Sequence, residues 1–230
     1  MADPRPYDIV TFDCYGTLID WERGIGDAFT RAAGVAGVRL ARAAVLEAYA
    51  AIEPAVQAGA YRSYREVLTE SARQVAERLG WALAPEHAGF LAASLPDWPP
   101  FPDTNPALER LARAGYRLGI LSNVDDDLLA GTRRHLTVAF DPVVTAQQVR
   151  AYKPAPPHFL TARQRLGTAA TAGRWLHAAQ SYFHDVQPAR ALGIPTAWVN
   201  RKGERPTDGG RADREVRTLA ELADWLAPIG

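Results

Sequence analysis

"YDIVTFDCYGTLID", residues 7 to 20, decides the fold. Tyr7 to Phe12 is a short run rich in strand formers and reads as a buried first strand. The run stops at a carboxylate, Asp13, and Gly16-Thr17 follow three residues later. That puts an acid where a strand meets a glycine turn, and open parallel sheets bind ligands beyond the carboxyl ends of their strands. Gly16 permits the tight turn that backbone donation to an anion requires. Cys14 is turned away from Asp13 by alternation along the chain and reads as packing.

Downstream of this strand the rhythm changes twice. From about Trp21 to Leu95 it is helical. Val45, Tyr49, Ile52 and Val56 share one face, and Leu68, Val75 and Leu79 form a second stripe that Gly80 closes. Pro54 lies inside the first stripe and is expected to kink or break that helix near Ile52 or Glu53. "LPDWPPFPDTNP", residues 95 to 106, carries five prolines and reads as a semi-rigid connector.

Beyond the connector, helix and strand alternate. Helices are expected over 104–114, over 125–135, after Pro157 and over 186–192. Strands are expected at "YRLGILS", "DPVVT", "RWLHAAQ" and "PTAWVN". Residues 201 to 214 are polar and read as a mobile loop, and Leu219, Leu222 and Leu226 mark a closing amphipathic helix. The pattern predicts an α/β chain: a parallel sheet covered on both faces. Residues 1–19 and 97–230 form the core, and 20–96 form an inserted, small helical domain.

Composition narrows the partners. The chain has 230 residues, with 26 Lys plus Arg against 26 Asp plus Glu. Zero formal net charge argues against nucleic acid or an anionic membrane as the main partner. No apolar run approaches the roughly 20 residues of a membrane helix. The N-terminus lacks the apolar core of a signal peptide, and a single cysteine excludes an intrachain disulfide. The expected setting is cytoplasmic.

The strand ends carry the chemistry. Asp13 closes the first strand, Ser122 and Asn123 the second, and Lys153 follows the third in "AYKP". Asp185 follows the fourth in "QSYFHD". A carboxylate can attack an electrophilic carbon or phosphorus and form an ester. An ammonium can hold that carboxylate ionised and neutralise developing charge. A hydroxyl and an amide, with backbone N–H groups near Gly16 and Thr17, can bind an anionic substrate group. The second carboxylate can orient the lysine, activate water or bind a metal. Ser122 and Asn123 could equally cap a helix. His184 is either a proton carrier or a polar filler beside Asp185. Ser181, His184 and Asp185 match a hydrolase triad in composition, but no GxSxG elbow accompanies them.

In this order, "FDCYGTLID", "LSN", "AYKP" and "HD" resemble the haloacid dehalogenase superfamily over nearly the whole chain. The resemblance implies a Rossmann-like core, a helical cap over the site and nucleophilic attack by Asp13. Phosphatases of the superfamily carry an acid two residues after the nucleophile, to protonate a leaving alcohol. Tyr15 stands there instead, and a tyrosine of ordinary pKa, about 10, fills that role poorly. A halide needs no proton, so Tyr15 resembles the pattern of the L-2-haloacid dehalogenases, which act without a metal. By that resemblance the catalytic residues are Asp13, Ser122, Lys153 and Asp185, and Tyr15, Thr17 and Asn123 bind the substrate.

Two departures stand out. Gln180 to His184 replace the dehalogenase serine-serine-asparagine-x-tryptophan, so the asparagine and the tryptophan are missing. No arginine lies in "AAVLEAYAAIEP", where the cap arginine that helps hold the halide belongs. Arg62 and Arg65, expected on one helix face, are the nearest substitutes for substrate binding. The leading expectation is therefore hydrolytic dehalogenation of a small anionic 2-haloacid without cofactor. The alternatives are a Mg²⁺-dependent phosphatase with Asp13, Tyr15 and Asp185 as ligands, and a non-catalytic binding module. A homodimer is compatible with the resemblance.

Overall fold

Every residue of the first strand, β1 (Ile9–Phe12), is buried. In the computed structural model, which describes residues 5–228, β1 lies inside a six-stranded sheet. The other strands are β2 (Arg117–Ser122), β3 (Val143–Thr145), β4 (Trp175–Ala179), β5 (Thr196–Val199) and β6 (Arg214–Val216). Their order is β3-β2-β1-β4-β5-β6, and every pairing is parallel. Phe12 pairs with Ile120 on one side and Ala178 on the other, so the ends of β1, β2 and β4 share one edge.

Alternation along the strands feeds two apolar layers. Val10 and Phe12 join Leu118, Ile120, Leu108 and Leu222 in one cluster. Ile9 joins Leu121, Val144, Phe159 and Trp175 in the other. Both faces of the sheet are therefore covered, as parallel sheets require.

Four α-helices lie between β1 and the proline-rich connector: α1 (Trp21–Val35), α2 (Arg42–Gln57), α3 (Tyr64–Arg78) and α4 (Phe90–Ser94). They pack on one another. The remaining helices flank the sheet: α5 (Thr104–Arg113), α6 (Asp126–Thr132), α7 (Ala146–Val149), α8 (Pro157–Leu166), α9 (Thr168–Thr171), α10 (Gln187–Ala191) and α11 (Leu219–Leu226).

The chain leaves and re-enters the sheet layer through paired crossings. Asp20 N–H donates to the Pro99 carbonyl (2.8 Å) and Phe101 N–H to the Leu18 carbonyl (3.1 Å). A third tie is made by a side chain. Asp125, buried just before α6, accepts from Tyr64 N–H and Arg65 N–H, both at 2.9 Å. Those are orphan donors of the first turn of α3, and a Ser63–Glu66 capping box completes the same N-terminus.

Two expectations need correction, and the helix expected over 104–114 is present as α5. α2 runs unbroken through Pro54 to Gln57. Pro54 removes one N–H in the last turn, and Ala58 N–H still donates to the Pro54 carbonyl (3.1 Å), so the helix loses a single bond rather than its axis. The segment 201–214 does not stay irregular to its end: β6 begins at Arg214. Its three residues bury only Val216, too little for a sequence pattern to show. The proline-rich connector ends as Thr104 starts α5, with Pro106 tolerated in the first turn.

One glycine controls the packing of the helical insertion on the connector. A Cβ on Gly24 of α1 would fall 2.2 Å from Cγ of Trp98. Gly24→Ala is therefore expected to lose about 1–3 kcal/mol of stability through overpacking. Urea unfolding checks this: the midpoint should fall with m unchanged. A wild-type midpoint would show that the Trp98 ring moves without penalty.

Candidate active site

The ends of β1, β2 and β4 and the loop after α7 bring four predicted residues together. Lys153 is 1 % exposed, and its Nζ donates to Asp13 Oδ1 (2.9 Å), Asp185 Oδ1 (2.5 Å) and the Leu121 carbonyl (2.8 Å). An ammonium has three protons, so Lys153 is saturated. The second oxygen of Asp13 accepts from Thr17 Oγ1 (2.9 Å), which in turn accepts from Gln180 N–H (2.8 Å). Both oxygens of Asp13 are thus oriented by donors, and neither is left to rotate.

Burial pushes the Asp13 carboxyl above the usual carboxylate range, and Lys153 and Thr17 oppose that rise. Burial also opposes ionisation of Asp185, but the Lys153 charge and His177 outweigh it and hold its carboxyl at about 2. Lys153 is raised, because the two carboxylates overcome the effect of its burial. The group is one cation between two anions.

Beneath it runs a chain that sequence reasoning missed. Trp175 Nε1–H donates to Thr11 Oγ1 (2.7 Å), Thr11 Oγ1 lies 2.9 Å from His177 Nδ1, and His177 Nε2 lies 3.0 Å from Asp185 Oδ1. His177 is fully buried. A polar ring in the otherwise apolar "RWLHAAQ" was the available signal. His158 was missed as well: its Nε2 lies 3.1 Å from the Ser122 carbonyl, and burial holds the ring down at about 3.

The other predicted residues fall into different places. Ser122 is buried at the cavity that Asp13 also lines, and its Oγ has no hydrogen-bond partner. Asn123 lines the cavity too, but its amide clamps the Lys153 backbone, accepting from Lys153 N–H (2.7 Å) and donating to its carbonyl (3.1 Å). Tyr15 lines the cavity with its ring, edge-on to Trp98. Its hydroxyl pairs with Thr132 Oγ1 at 2.9 Å, and burial pushes the phenol well up. Gly16 serves the turn through its positive φ of 100°, and its N–H is taken by the Ile19 carbonyl (2.8 Å), so that N–H does not face a ligand.

Arg62 and Arg65 do not reach the cavity, which corrects the expectation that they bind substrate. Arg62 precedes α3 rather than lying on it, and its guanidinium bonds the Val56 carbonyl. Arg65 pairs with Asp127 at 2.6 Å on the surface. Arg62 is therefore held within the insertion, and Arg65 is held by α6 of the sheet layer. Cys14 is fully buried in the apolar core, and burial keeps its thiol protonated. Ser181 bonds His184 (3.0 Å), while Asp185 bonds His177 and Lys153, so no serine–histidine–aspartate relay forms.

The cavity above Asp13 measures about 250 Å³, small by the standard of drug-sized ligands. Its floor is Asp13, Ser122, Asn123 and the segment Gln180–Asp185. Its other wall is Trp21 and Ile25 of α1, Tyr49, Ala50, Glu53, Pro54 and Gln57 of α2, and Tyr64 of α3. Asp185 arrives on a π-helical turn, Tyr182–Val186, a feature frequent at functional sites.

A carboxylate fixed at a strand end by a buried lysine, under a helical insertion, defines a class of hydrolase. The chain belongs to the haloacid dehalogenase-like hydrolase family, whose pattern matches residues 7–193. It is 30 % identical over 227 residues to the (S)-2-haloacid dehalogenase H-109 of Pseudomonas putida, covering 96 % of this chain and 99 % of that one. Its fold matches the L-2-haloacid dehalogenase of Xanthobacter autotrophicus with chloropropionic acid covalently bound, at a TM-score of 0.83 and 22 % identity. That match covers 97 % of this chain and all (100 %) of the other. The defluorinating L-2-haloacid dehalogenase Rha0230 matches at a TM-score of 0.81, with 24 % identity over 96 % of this chain and 98 % of that one.

Lys153→Met tests the electrostatics of the triad. It leaves two buried carboxylates facing each other with no cation, so one of them should stay protonated at neutral pH. Removing one partner of a buried pair costs about 3–5 kcal/mol. Urea unfolding should show that loss, and an unchanged midpoint would mean that the ammonium does not hold the carboxylates. Ser122→Ala should do the opposite: with no hydrogen bond to lose, its midpoint should stay within about 0.5 kcal/mol of wild type.

Proposed function

We propose that this hydrolase cleaves the carbon–halogen bond of a short 2-haloacid, giving the 2-hydroxyacid. The observation that carries this reading is the Asp13–Lys153 pair combined with a Tyr15 hydroxyl tied to Thr132. The site has a fixed nucleophile and no free acid at the position that would protonate an alcohol.

An oxygen of Asp13 attacks C2 from one face, and the C2–halogen bond breaks with its electron pair leaving as halide. Lys153 and Thr17 hold the carboxylate in line, which supplies orientation as well as charge. The product is an ester of Asp13. Water then adds to the ester carbonyl of Asp13, and Lys153 stabilises the oxyanion that develops there. Collapse breaks the bond between the Asp13 acyl carbon and the ester oxygen; one water proton goes to that departing oxygen, giving the hydroxyacid, and the other leaves the regenerated Asp13 carboxyl for solvent. Asp185, held ionised, orients Lys153 and stands near the water. The orphan hydroxyl of Ser122 binds the substrate carboxylate. Residues 1–19 with 97–230 act as the catalytic core, and 20–96 act as the cap that closes the cavity.

A Mg²⁺-dependent phosphatase fits the residues less well. Asp13 Oδ1 and Asp185 Oδ1 converge on the Lys153 ammonium, and Asp13 Oδ2 is held by Thr17. Among the described residues, no cluster of three or more His, Cys, Asp or Glu is arranged to hold a metal. The proposal also includes a cytoplasmic setting, compatible with the reduced thiol Cys14, and a homodimer, as the resemblance implies. No described helix is long and apolar enough to cross a membrane.

The test is halide release from each enantiomer of 2-chloropropionate and from chloroacetate and fluoroacetate, with and without EDTA. Release should favour the (S)-enantiomer, survive EDTA and vanish in Asp13→Asn. Ser122→Ala should lower kcat/KM about 10–100-fold, the range for one hydrogen bond to a charged group. No halide from any substrate would overturn the haloacid reading, and EDTA-sensitive phosphate ester hydrolysis would replace it. Partner binding that survives Asp13→Asn without any turnover would instead favour a binding module.

A further inference from the structure

In-line displacement places attack and departure on opposite faces of the reacting carbon. With Asp13 on the floor, the leaving group departs toward the helical insertion. The wall there is one face of α2: Tyr49, Glu53 and Gln57, four residues apart, all line the cavity. Among the described lining residues there is no Lys or Arg. Lys153 lies below the floor with its three protons committed, and Arg62 and Arg65 are bound elsewhere. A developing halide therefore meets no cation on that side and must be met by a neutral donor.

We propose that Glu53, held as the neutral acid, donates a hydrogen bond to the departing halide on the wall opposite Asp13. The proposal rests on the dehalogenase reading and names the residue that takes the leaving group. The proton stays on Glu53 while the C–X electron pair leaves with the halogen. Gln57 Nε2–H already donates to Glu53 Oε1 (3.0 Å), which leaves the other oxygen to carry the proton. Once ionised, Glu53 would face both the halide and the substrate carboxylate with like charge.

Burial raises the Glu53 carboxyl to about 7. The groups facing it do not share that titration. Tyr49 on its own helix, Tyr64 on α3 and Tyr152 before Lys153 are all pushed up by burial and stay protonated. Burial pushes His184, on the π-helical turn, down. Asp13 and Asp185 share Lys153 on the floor, and Arg62 and Asp125 lie beyond the tyrosines, tied to backbone at Val56 and at Tyr64–Arg65. A raised carboxyl is neutral below its pKa, so the donor is present below about pH 7 and is lost above it.

Bromide binding tests this without turnover, using quenching of Trp21 and Trp98, which line the cavity. At constant ionic strength, the wild type should bind bromide at least tenfold more tightly at pH 6 than at pH 8.5. Glu53→Gln keeps an N–H donor that does not ionise, and its bromide affinity should be the same at both pH values. Gln57→Leu removes the donor that favours the ionised form, and should move the pH of weakening upward. No saturable quenching in the wild type at pH 6, equal affinity at both pH values, pH dependence that survives Glu53→Gln, or an unmoved midpoint in Gln57→Leu would each overturn the assignment. In turnover, the kcat profile for 2-chloropropionate should fall about tenfold per pH unit above the Glu53 pKa, and Glu53→Gln should abolish that limb; a limb that survives in Glu53→Gln overturns the assignment. Absence of turnover alongside pH-dependent bromide binding would sink the haloacid reaction and leave the halide site standing.

Discussion

One ammonium between two buried carboxylates is the constraint on which the rest of the molecule depends. Burying any of the three charges alone would be unfavourable by several kcal/mol. Together they are tolerated because Lys153 distributes its three protons over Asp13, Asp185 and the Leu121 carbonyl. That geometry requires the ends of β1 and β4, the Leu121 carbonyl of β2 and the loop after α7 to meet within a few ångströms. A parallel sheet with its strand ends in register supplies such a meeting point, and an antiparallel sheet would scatter it. The Trp175–Thr11–His177 chain extends the same logic one layer down, so that Asp185 is positioned from below as well as from the side.

The insertion is held to this edge by means that do not involve the triad. Paired backbone crossings at 18–20 and 99–101 fix its base, and Asp125 grips the first turn of α3. The consequence is a wall whose chemistry is independent of the floor. The floor is charged, with its ammonium saturated and only the Ser122 hydroxyl unpaired, and the wall is aromatic and amide-lined with one acid. Substitutions in α2 can therefore change what the cavity accepts without disturbing how Asp13 is aimed.

The legible part of the site was the part set by local rules. Asp13, Thr17, Ser122, Lys153 and Asp185 follow strand ends or turns, and strand–turn grammar places such residues without knowledge of distant packing. Gly16 was legible for its turn, though its N–H serves the turn itself. Arg62 and Arg65 were misplaced because an arginine's direction depends on which acid or carbonyl lies nearest in three dimensions. Here those partners are Asp127, sixty-two residues away from Arg65, and Val56. His177 and Glu53 were not singled out because neither belongs to a motif: one matters by touching Asp185, the other by facing a cavity made by two separate segments. Pro54 misled because a proline in a final turn removes only one hydrogen bond, and β6 was invisible because three residues carry no period.

Tyr15 shows how far one position can divide two chemistries. An acid there would sit beside the nucleophile, ready to protonate an alkoxide, which is too basic to leave unaided. Here the hydroxyl is bound to Thr132, its ring packs on Trp98, and burial holds the phenol far from ionisation. The position therefore works as an apolar wall and a fixed spacer. A leaving group that departs as a stable anion needs no proton from that side; it needs a donor on the far side, where bond breaking deposits the charge. The hydrogen-bond donor to the leaving group is then expected on the insertion, not on the loop after β1. A site with no free acid beside Asp13 suits a leaving group that departs as a stable anion better than phosphoryl transfer, in which the departing alkoxide needs a proton.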